Sequence, residues 1–417
     1  MSLRLDDIRE LDDQDPLRAY RDLFHIPAHG AGQQVYLCGN SLGLQVRSTA
    51  DAVNEVLNSW RERAVEGHFE GKRSWTRYHD LLRKPQARIA GAKPSEIVTM
   101  NTLTVNLHLL MISFFRPRGD RNRIVIEQGA FPSDRYAVQS QLRLHGLDPA
   151  NGMVEIPAND ERLTDESVLE DYLDQHGEQV ALVLWPGVHY ATGQRFDLGR
   201  IASAAKRAGA CVGFDLAHAI GNVPLDLHGW GADFAVWCTY KYLNGGPGAI
   251  AGAFIHEQHH GPSDLPRLDG WWGVDLQRRF LMEPNFHPAP GADAWQLSTP
   301  PVLAMAPLLP ALDCFEQAGM DALRLKSIQL TGTLERLIKE QIDGGVHILT
   351  PDDAERRGCQ LSLRVRSGRA HGRALFEKLQ AEGIIGDWRE PDVIRVAPVP
   401  LYNTFEDCWR LVQSLRD

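Results

Sequence analysis

The stretch CVGFDLAHAIGNVPLDLHGWGADFAVWCTYKYLNGGPG, residues 211–248, decides the fold. It contains two short apolar runs of strand length, Cys211–Asp215 and Asp233–Trp237, each leading into polar or turn-forming residues. Asp215 closes the first run, and Lys241 follows the second just before the turn Gly245-Gly246-Pro247-Gly248. Similar runs occur at Glu96–Thr99, Ile124–Ile126, Ala181–Trp185 and Ala249–Ile255, with helical stretches between them. Strands alternating with helices predict an α/β fold whose mostly parallel sheet is covered on both faces. In open sheets of this kind ligands bind beyond the carboxyl ends of the strands, a rule that selects Thr104, Phe131, Asp215 and Lys241.

Outward from this core, apolar residues recur at helical spacing over Ser48–Ala64 and Tyr78–Ala90. From Leu303 the pattern changes to long helical periodicity up to Glu340. A strand-like run at Gln360–Val365, a helix over His371–Glu382, a short run at Asp392–Ala397 and a closing helix from Phe405 follow. At 417 residues the chain exceeds the roughly 250 to 300 residues at which single cores stop growing. We therefore expect a large domain over residues 61–302 and a smaller α+β domain over residues 303–417, to which residues 1–60 contribute.

With 43% apolar and 24% charged residues the composition is that of an ordinary globular protein. A formal net charge of -10, with both signs mixed along the chain, argues against a nucleic-acid partner. The cluster Arg116–Arg123 reads as solvated loop charge. No stretch reaches the roughly 20 apolar residues of a membrane span, and the acidic start MSLRLDDIRELDD differs from a secretory or transit segment, so a cytoplasmic protein is expected. The six cysteines show no CxxC spacing, which suggests neither a disulfide framework nor a zinc site.

Lys241, after a buried strand and before a glycine-rich turn, is placed to carry a carbonyl cofactor as a Schiff base, although a surface lysine in a turn has the same local sequence. Asp215 adds weight to the first reading. A carboxylate buried at a strand end needs a partner, and the pyridinium nitrogen of pyridoxal phosphate is one, whereas helix capping is the structural alternative. His218, three residues on, borders the same place or is a satisfied structural histidine. Asn101-Thr102-Leu103-Thr104-Val105-Asn106 opens an apolar helix whose N-terminus suits a phosphate, and capping by Thr102 or Thr104 explains it equally well. Phe131-Pro132-Ser133-Asp134 supplies a ring face and a carboxylate, or simply a helix start.

Taken in order, these segments resemble kynureninase, a fold-type-I pyridoxal-phosphate enzyme of the aminotransferase class V-like superfamily. The resemblance runs almost end to end. It rests on Gly39-Asn40-Ser41-Leu42-Gly43, Asn101–Asn106, Phe131–Asp134, Gly187–Tyr190 with Thr192-Gly193-Gln194, Gly213–Asn222, Tyr240–Asn244, Gly270-Trp271-Trp272-Gly273 and Arg395–Asn403. It implies pyridoxal 5′-phosphate as cofactor and hydrolytic Cβ–Cγ cleavage of L-kynurenine or 3-hydroxy-L-kynurenine, in tryptophan breakdown or NAD synthesis. It further implies a homodimer with the aromatic stretch Trp271–Phe286 at the interface. Carried onto this chain, Lys241 matches the Schiff-base residue and Asp215 the pyridinium partner. Leu103, Thr104, Phe131, Pro132, Ser133, Asp134, His218, Tyr240, Trp271 and Thr299 match cofactor contacts. Arg395 matches the grip on the substrate carboxylate, where two parallel hydrogen bonds fix its orientation, and a surface ion pair is the alternative. Asn40 and Ser41 lend donors to the substrate or merely form a turn. Tyr240 is the expected proton donor to Cβ. Val274 stands where the family has His, and the position of Thr299 varies; both, with His68, border the expected aryl end of the site.

Three other readings compete. A cysteine desulfurase or selenocysteine lyase needs a nucleophilic cysteine in a mobile loop, for which Cys359 is the candidate. A non-catalytic binding module would have lost the lysine or the aspartate, and both are present. A metal hydrolase on Asp215 and His218 would draw further ligands from His259 and His260.

Overall fold

The structure, a computed structural model, describes residues 3–261 and 264–416. Seven strands form the main sheet: β1 (Ile97–Thr99), β2 (Arg123–Glu127), β3 (Met153–Ile156), β4 (Val180–Pro186), β5 (Cys211–Asp215), β6 (Phe234–Trp237) and β7 (Gly252–Ile255). Their order is β1-β7-β6-β5-β4-β2-β3. All pairings are parallel except those of β7, which runs antiparallel to β1 and β6. The near-continuous apolar strands β4 to β6 are buried on both faces, as parallel strands covered by helices must be. The edge strand β3, whose Val-Glu alternation is half exposed, is too weakly apolar for the sequence reading to have found.

Helices α1 (Leu5–Gln14), α2 (Thr49–Arg63), α3 (Asp80–Ala90), α4 (Leu103–Phe114), α5 (Pro132–Leu144), α6 (Glu166–His176) and α7 (Leu198–Arg207) precede or cross over the sheet. The long periodic stretch after Leu303 resolves into a short turn of helix at Val302–Met305, α8 (Leu308–Ala318) and α9 (Met320–Gln341), broken at Gly319 with φ 75°. A second, antiparallel sheet follows, from β8 (Val346–Ile348), β9 (Leu361–Val365), β10 (Asp387–Arg389) and β11 (Val393–Val396) in the order β8-β9-β11-β10. Helices α10 (Arg369–Ala381) and α11 (Phe405–Arg416) accompany it.

The apolar cores divide accordingly. Ile8, Val35 and Leu37 join Leu330, Leu363, Ile394 and Leu411 in one cluster around the second sheet. Val46 and Val56, together with Leu308, Leu312 and Phe315 of α8, pack instead with the main sheet's Trp185, Phe214 and Trp237. Arg121, read from sequence as solvated, instead donates to the carbonyls of Gly177, Val180 and Ala208, tying the start of β4 to the end of α7. All six cysteines are free. Among the described residues no helix is long and apolar enough to cross a membrane.

Candidate active site

The carboxyl ends of β2, β4 and β5 and the N-termini of α4 and α5 surround a cavity of about 270 Å³, closed on its far side by Asn40, Ser41, Arg389 and Arg395. Lys241, in the turn after β6, reaches into it and places Nζ 2.9 Å from His218 Nε2. The same Nζ is 6.0 Å from the ring centroids of both Phe131 and Tyr240. His218 is buried, and burial followed by the Lys241 charge pushes its pKa well below the usual histidine range. The neutral imidazole can therefore accept a hydrogen bond from the Lys241 amine.

Three carboxylates form the floor. Asp215 ends β5, Glu127 ends β2 and Asp134 lies in the first turn of α5; each is less than a tenth exposed. Burial raises the pKa of Asp134, as does the charge of Asp215 beside it, and burial likewise raises that of Glu127. One Asp134 oxygen has no hydrogen-bond partner. Asp215 lines the cavity and accepts from the Ala217 N–H at 2.7 Å in a turn, so the helix that a cap would need does not follow it.

At the next wall, Thr102 caps α4 without a side-chain bond, while the Thr104 hydroxyl lies 2.9 Å from that of Ser133. Two helix N-termini and two hydroxyls thus meet at one corner, the donor set an anion needs. Phe131 presents its face to the cavity and is braced by Tyr190, with ring centroids 5.1 Å apart. Pyridoxal phosphate fits this arrangement: anion donors at one end, an aromatic face in the middle, an amine in reach, and an unpaired buried carboxylate cluster for a pyridinium proton.

On the opposite side Arg395 has no exposed side-chain surface, and its Nη1 donates to the Tyr190 carbonyl at 2.7 Å. Its Nε, and both amide atoms of the fully buried Asn40, have no hydrogen-bond partner among the described residues. Buried donors left unpaired beside a cavity favour an acceptor ligand such as a carboxylate.

Leu103, Thr104, Phe131, Ser133, Asp134, Asp215, His218, Tyr240, Lys241, Asn40, Ser41 and Arg395 therefore gather at one cavity as the sequence suggested. Pro132 opens α5 without lining the cavity, and Trp271, Thr299 and His68 are also absent from the described lining. Glu127, Tyr190 and Arg389 line it and were missed. Glu127 had a signal, for it follows the run Ile124–Ile126 at the strand end that the ligand rule singles out. Cys359, needed for desulfurase chemistry, is fully buried next to Tyr242, and burial pushes its thiol up to about 12. The extra histidines of a metal reading are engaged elsewhere, His259 with Asp233 at 2.7 Å and His260 with the Ile255 carbonyl at 3.0 Å.

Comparison with known proteins gives this geometry a family. A family model described as the kynureninase C-terminal domain matches residues 323–415. The kynureninase of Xanthomonas euvesicatoria pv. vesicatoria is 58% identical over 406 residues, covering 97% of this chain and 96% of the relative. That of Xanthomonas campestris pv. campestris is 59% identical over 407 residues, with the same coverage. The chain belongs to the kynureninase family. Kynureninase membership makes it a pyridoxal-phosphate-dependent hydrolase acting on carbon–carbon bonds, with a small molecule as substrate. Solved structures of more distant proteins show the fold alone. A cystine C–S lyase in complex with cysteine persulfide superposes with a TM-score of 0.78 at 21% identity, covering 92% of this chain and 97% of its own. The cysteine desulfurase of Thermococcus onnurineus does so with a TM-score of 0.71 at 19% identity, covering 100% and 98%.

Proposed function

We propose that this cavity hydrolyses the Cβ–Cγ bond of L-kynurenine, 3-hydroxy-L-kynurenine or both, releasing L-alanine and the corresponding anthranilate. The observation that carries the assignment of roles is the convergence on one cavity of Lys241 and the buried carboxylates at one side and the unpartnered Arg395 and Asn40 donors at the other. Pyridoxal phosphate, when bound, supplies an electron sink for negative charge developing on the amino-acid carbons. Lys241 would hold it, Asp215 and Asp134 would serve its pyridinium nitrogen, Thr104 and Ser133 its phosphate, and Phe131 its ring.

Arg395 and Asn40 fix the substrate carboxylate, and with it the direction of the Cα–H bond. Lys241 Nζ, freed by the incoming amine, takes the Cα proton and returns it to Cα when alanine forms, while neutral His218 orients the amine by accepting its hydrogen bond. Water adds across the Cγ carbonyl to give the hydrate; when the Cβ–Cγ bond breaks, its electron pair stays on Cβ and takes a proton from the Tyr240 hydroxyl, and the hydroxyl proton that the hydrate loses in becoming the carboxylic acid restores Tyr240. Burial raises the pKa of Tyr240, so it retains that proton until the step needs it.

A second copy of the chain supplies Trp271, Thr299 and His68. What supports this is their place outside the single-chain cavity, where His68, Phe69, Phe280 and Trp271 form a run of ring contacts ending on half-exposed aromatic surface. The compartment is the cytoplasm, supported by six cysteines that remain thiols. The division into a large cofactor unit and a smaller unit carrying Arg395 belongs to the same reading, with α8 placed in the large unit, where its side chains pack.

The test follows absorbance of the purified holoenzyme and anthranilate fluorescence after addition of each substrate, with Lys241→Ala alongside. A yellow protein that converts one or both, beside an inert variant, is expected. Failure to convert either, or turnover by Lys241→Ala, overturns the reading.

A further inference from the structure

Strands β10 and β11 build a charge arrangement behind the cavity wall. Asp387 stands directly opposite Arg395 in the antiparallel register, so the two side chains leave the same face of the sheet. Arg389, two residues along, leaves it as well. Asp387 Oδ2 accepts from Arg395 Nη2 at 2.7 Å and from Arg389 Nη2 at 3.1 Å, and it also takes the Ser41 hydroxyl. Arg389 Nε lies 3.0 Å from the other oxygen, Oδ1. The Asp387 side chain is 11% exposed, whereas Arg389 is 40% exposed and, with Arg395, lines the cavity.

A guanidinium with no exposed surface needs a counter-charge, and Asp387 provides it. The count then matters: two arginines and one aspartate leave one unit of positive charge toward the cavity. The Arg395 donor that remains without a partner is Nε. We infer that Asp387 is a positioning and charge-selecting residue, which holds Arg395 so that Nε is offered to the substrate carboxylate and cancels one arginine so that the site accepts a single carboxylate. This rests on the assignment of Arg395 as the carboxylate anchor. A ligand with a second carboxylate meets no further uncompensated arginine at this wall while Asp387 is charged, and meets one when that charge is removed.

The experiment measures competitive inhibition of the holoenzyme by butyrate and by succinate, of equal chain length with one and two carboxylates. In Asp387→Asn the succinate inhibition constant is expected to fall at least tenfold relative to that of butyrate. A purely structural role would move both together, and an unchanged ratio overturns the inference. If Asp387→Asn does not fold, Arg389→Met is decisive instead. It brings the net charge of the group to zero and should raise the butyrate constant at least tenfold; an unchanged constant overturns the inference. Arg395→Gln separates the two layers of the argument. If it is inhibited by butyrate as wild type is, the anchor assignment falls and the inference with it. If it loses inhibition while the Asp387→Asn ratio stays constant, the inference alone falls.

Discussion

Gly43 offers a test of how rigidly the catalytic lysine must be held. Its N–H donates to the Tyr240 carbonyl at 2.8 Å, so the segment Gly39–Gly43 lies against the backbone of the lysine turn. A Cβ at this position would collide with the Lys241 carbonyl oxygen and Asn244 Oδ1, and would stand 2.8 Å from the Asn244 Cα, where ordinary contact begins at 3.4 Å. The obstacle is mostly backbone. The turn itself is held by Asn244 in the left-handed region at φ 56° and by the Gly245 N–H on the Thr239 carbonyl at 2.8 Å. Gly43→Ala must therefore push the lysine turn outward by several tenths of an ångström to about 1 Å. Overpacking of this kind costs about 1 to 3 kcal/mol, and a misplacement of about 1 Å at a reacting group lowers the rate on the order of 100-fold. The assay combines a urea melt, the absorbance of the lysine-bound cofactor, and kcat with KM. The expected result is a lower kcat with a less perturbed KM. Gly332→Ala, inside α9 with nothing within 4 Å of the added carbon, is the control and should be neutral or stabilising by up to about 1 kcal/mol. A Gly43→Ala enzyme with wild-type kcat and spectrum would refute the claim that this glycine seats the lysine.

Tyr240→Phe should reduce product formation by roughly 10²- to 10⁴-fold while the cofactor spectrum stays wild-type, and an unchanged rate removes Tyr240 as proton donor. Burial lowers the His189 pKa to about 4. The unfolded chain, titrating near the ordinary 6.5, therefore binds the proton first as the pH falls, and stability is lost between about 6.5 and 4, by up to roughly 3 kcal/mol. Urea melts at stepped pH should show a flatter loss in His189→Asn; parallel curves would contradict this. Glu127 and Asp134, raised by burial, act with the opposite sign in both proteins and leave the comparison intact. Asn222 links the turn after β5 to the segment before β9 by donating to the His218 carbonyl at 2.8 Å and accepting from the Cys359 N–H at 2.9 Å. Asn222→Ala leaves both buried groups unpaired and should cost about 2 to 4 kcal/mol in a denaturation measurement.

The sequence was most informative where local chemistry and the strand pattern coincide. Asp215 ends one apolar run and Lys241 lies just beyond the next, and the rule for open sheets places both at one end of the sheet. It was least informative where a residue acquires its role from a distant partner. Asp387 and Arg389 read as ordinary alternating charges on a short strand, and only the register with β11 puts them behind Arg395. Tyr190 carries no polar signal of its own kind, yet its ring braces Phe131 and its carbonyl receives both Arg395 and Gln360. Helix α8 carries the periodicity of the C-terminal stretch but is captured by the larger core, because its apolar face meets α3 and α2 rather than the second sheet.

Ser41 and Arg395, which meet at the substrate wall, are 354 positions apart in the chain, while the residues around the lysine and the carboxylate floor span only 103–241. During synthesis the ribosome therefore delivers Lys241 and the buried carboxylates long before Arg395. A nascent chain halted after β7 contains Lys241 and the carboxylate floor and lacks Trp271, Thr299 and Arg395. The cavity is thus complete only once the last strand, β11, has been made.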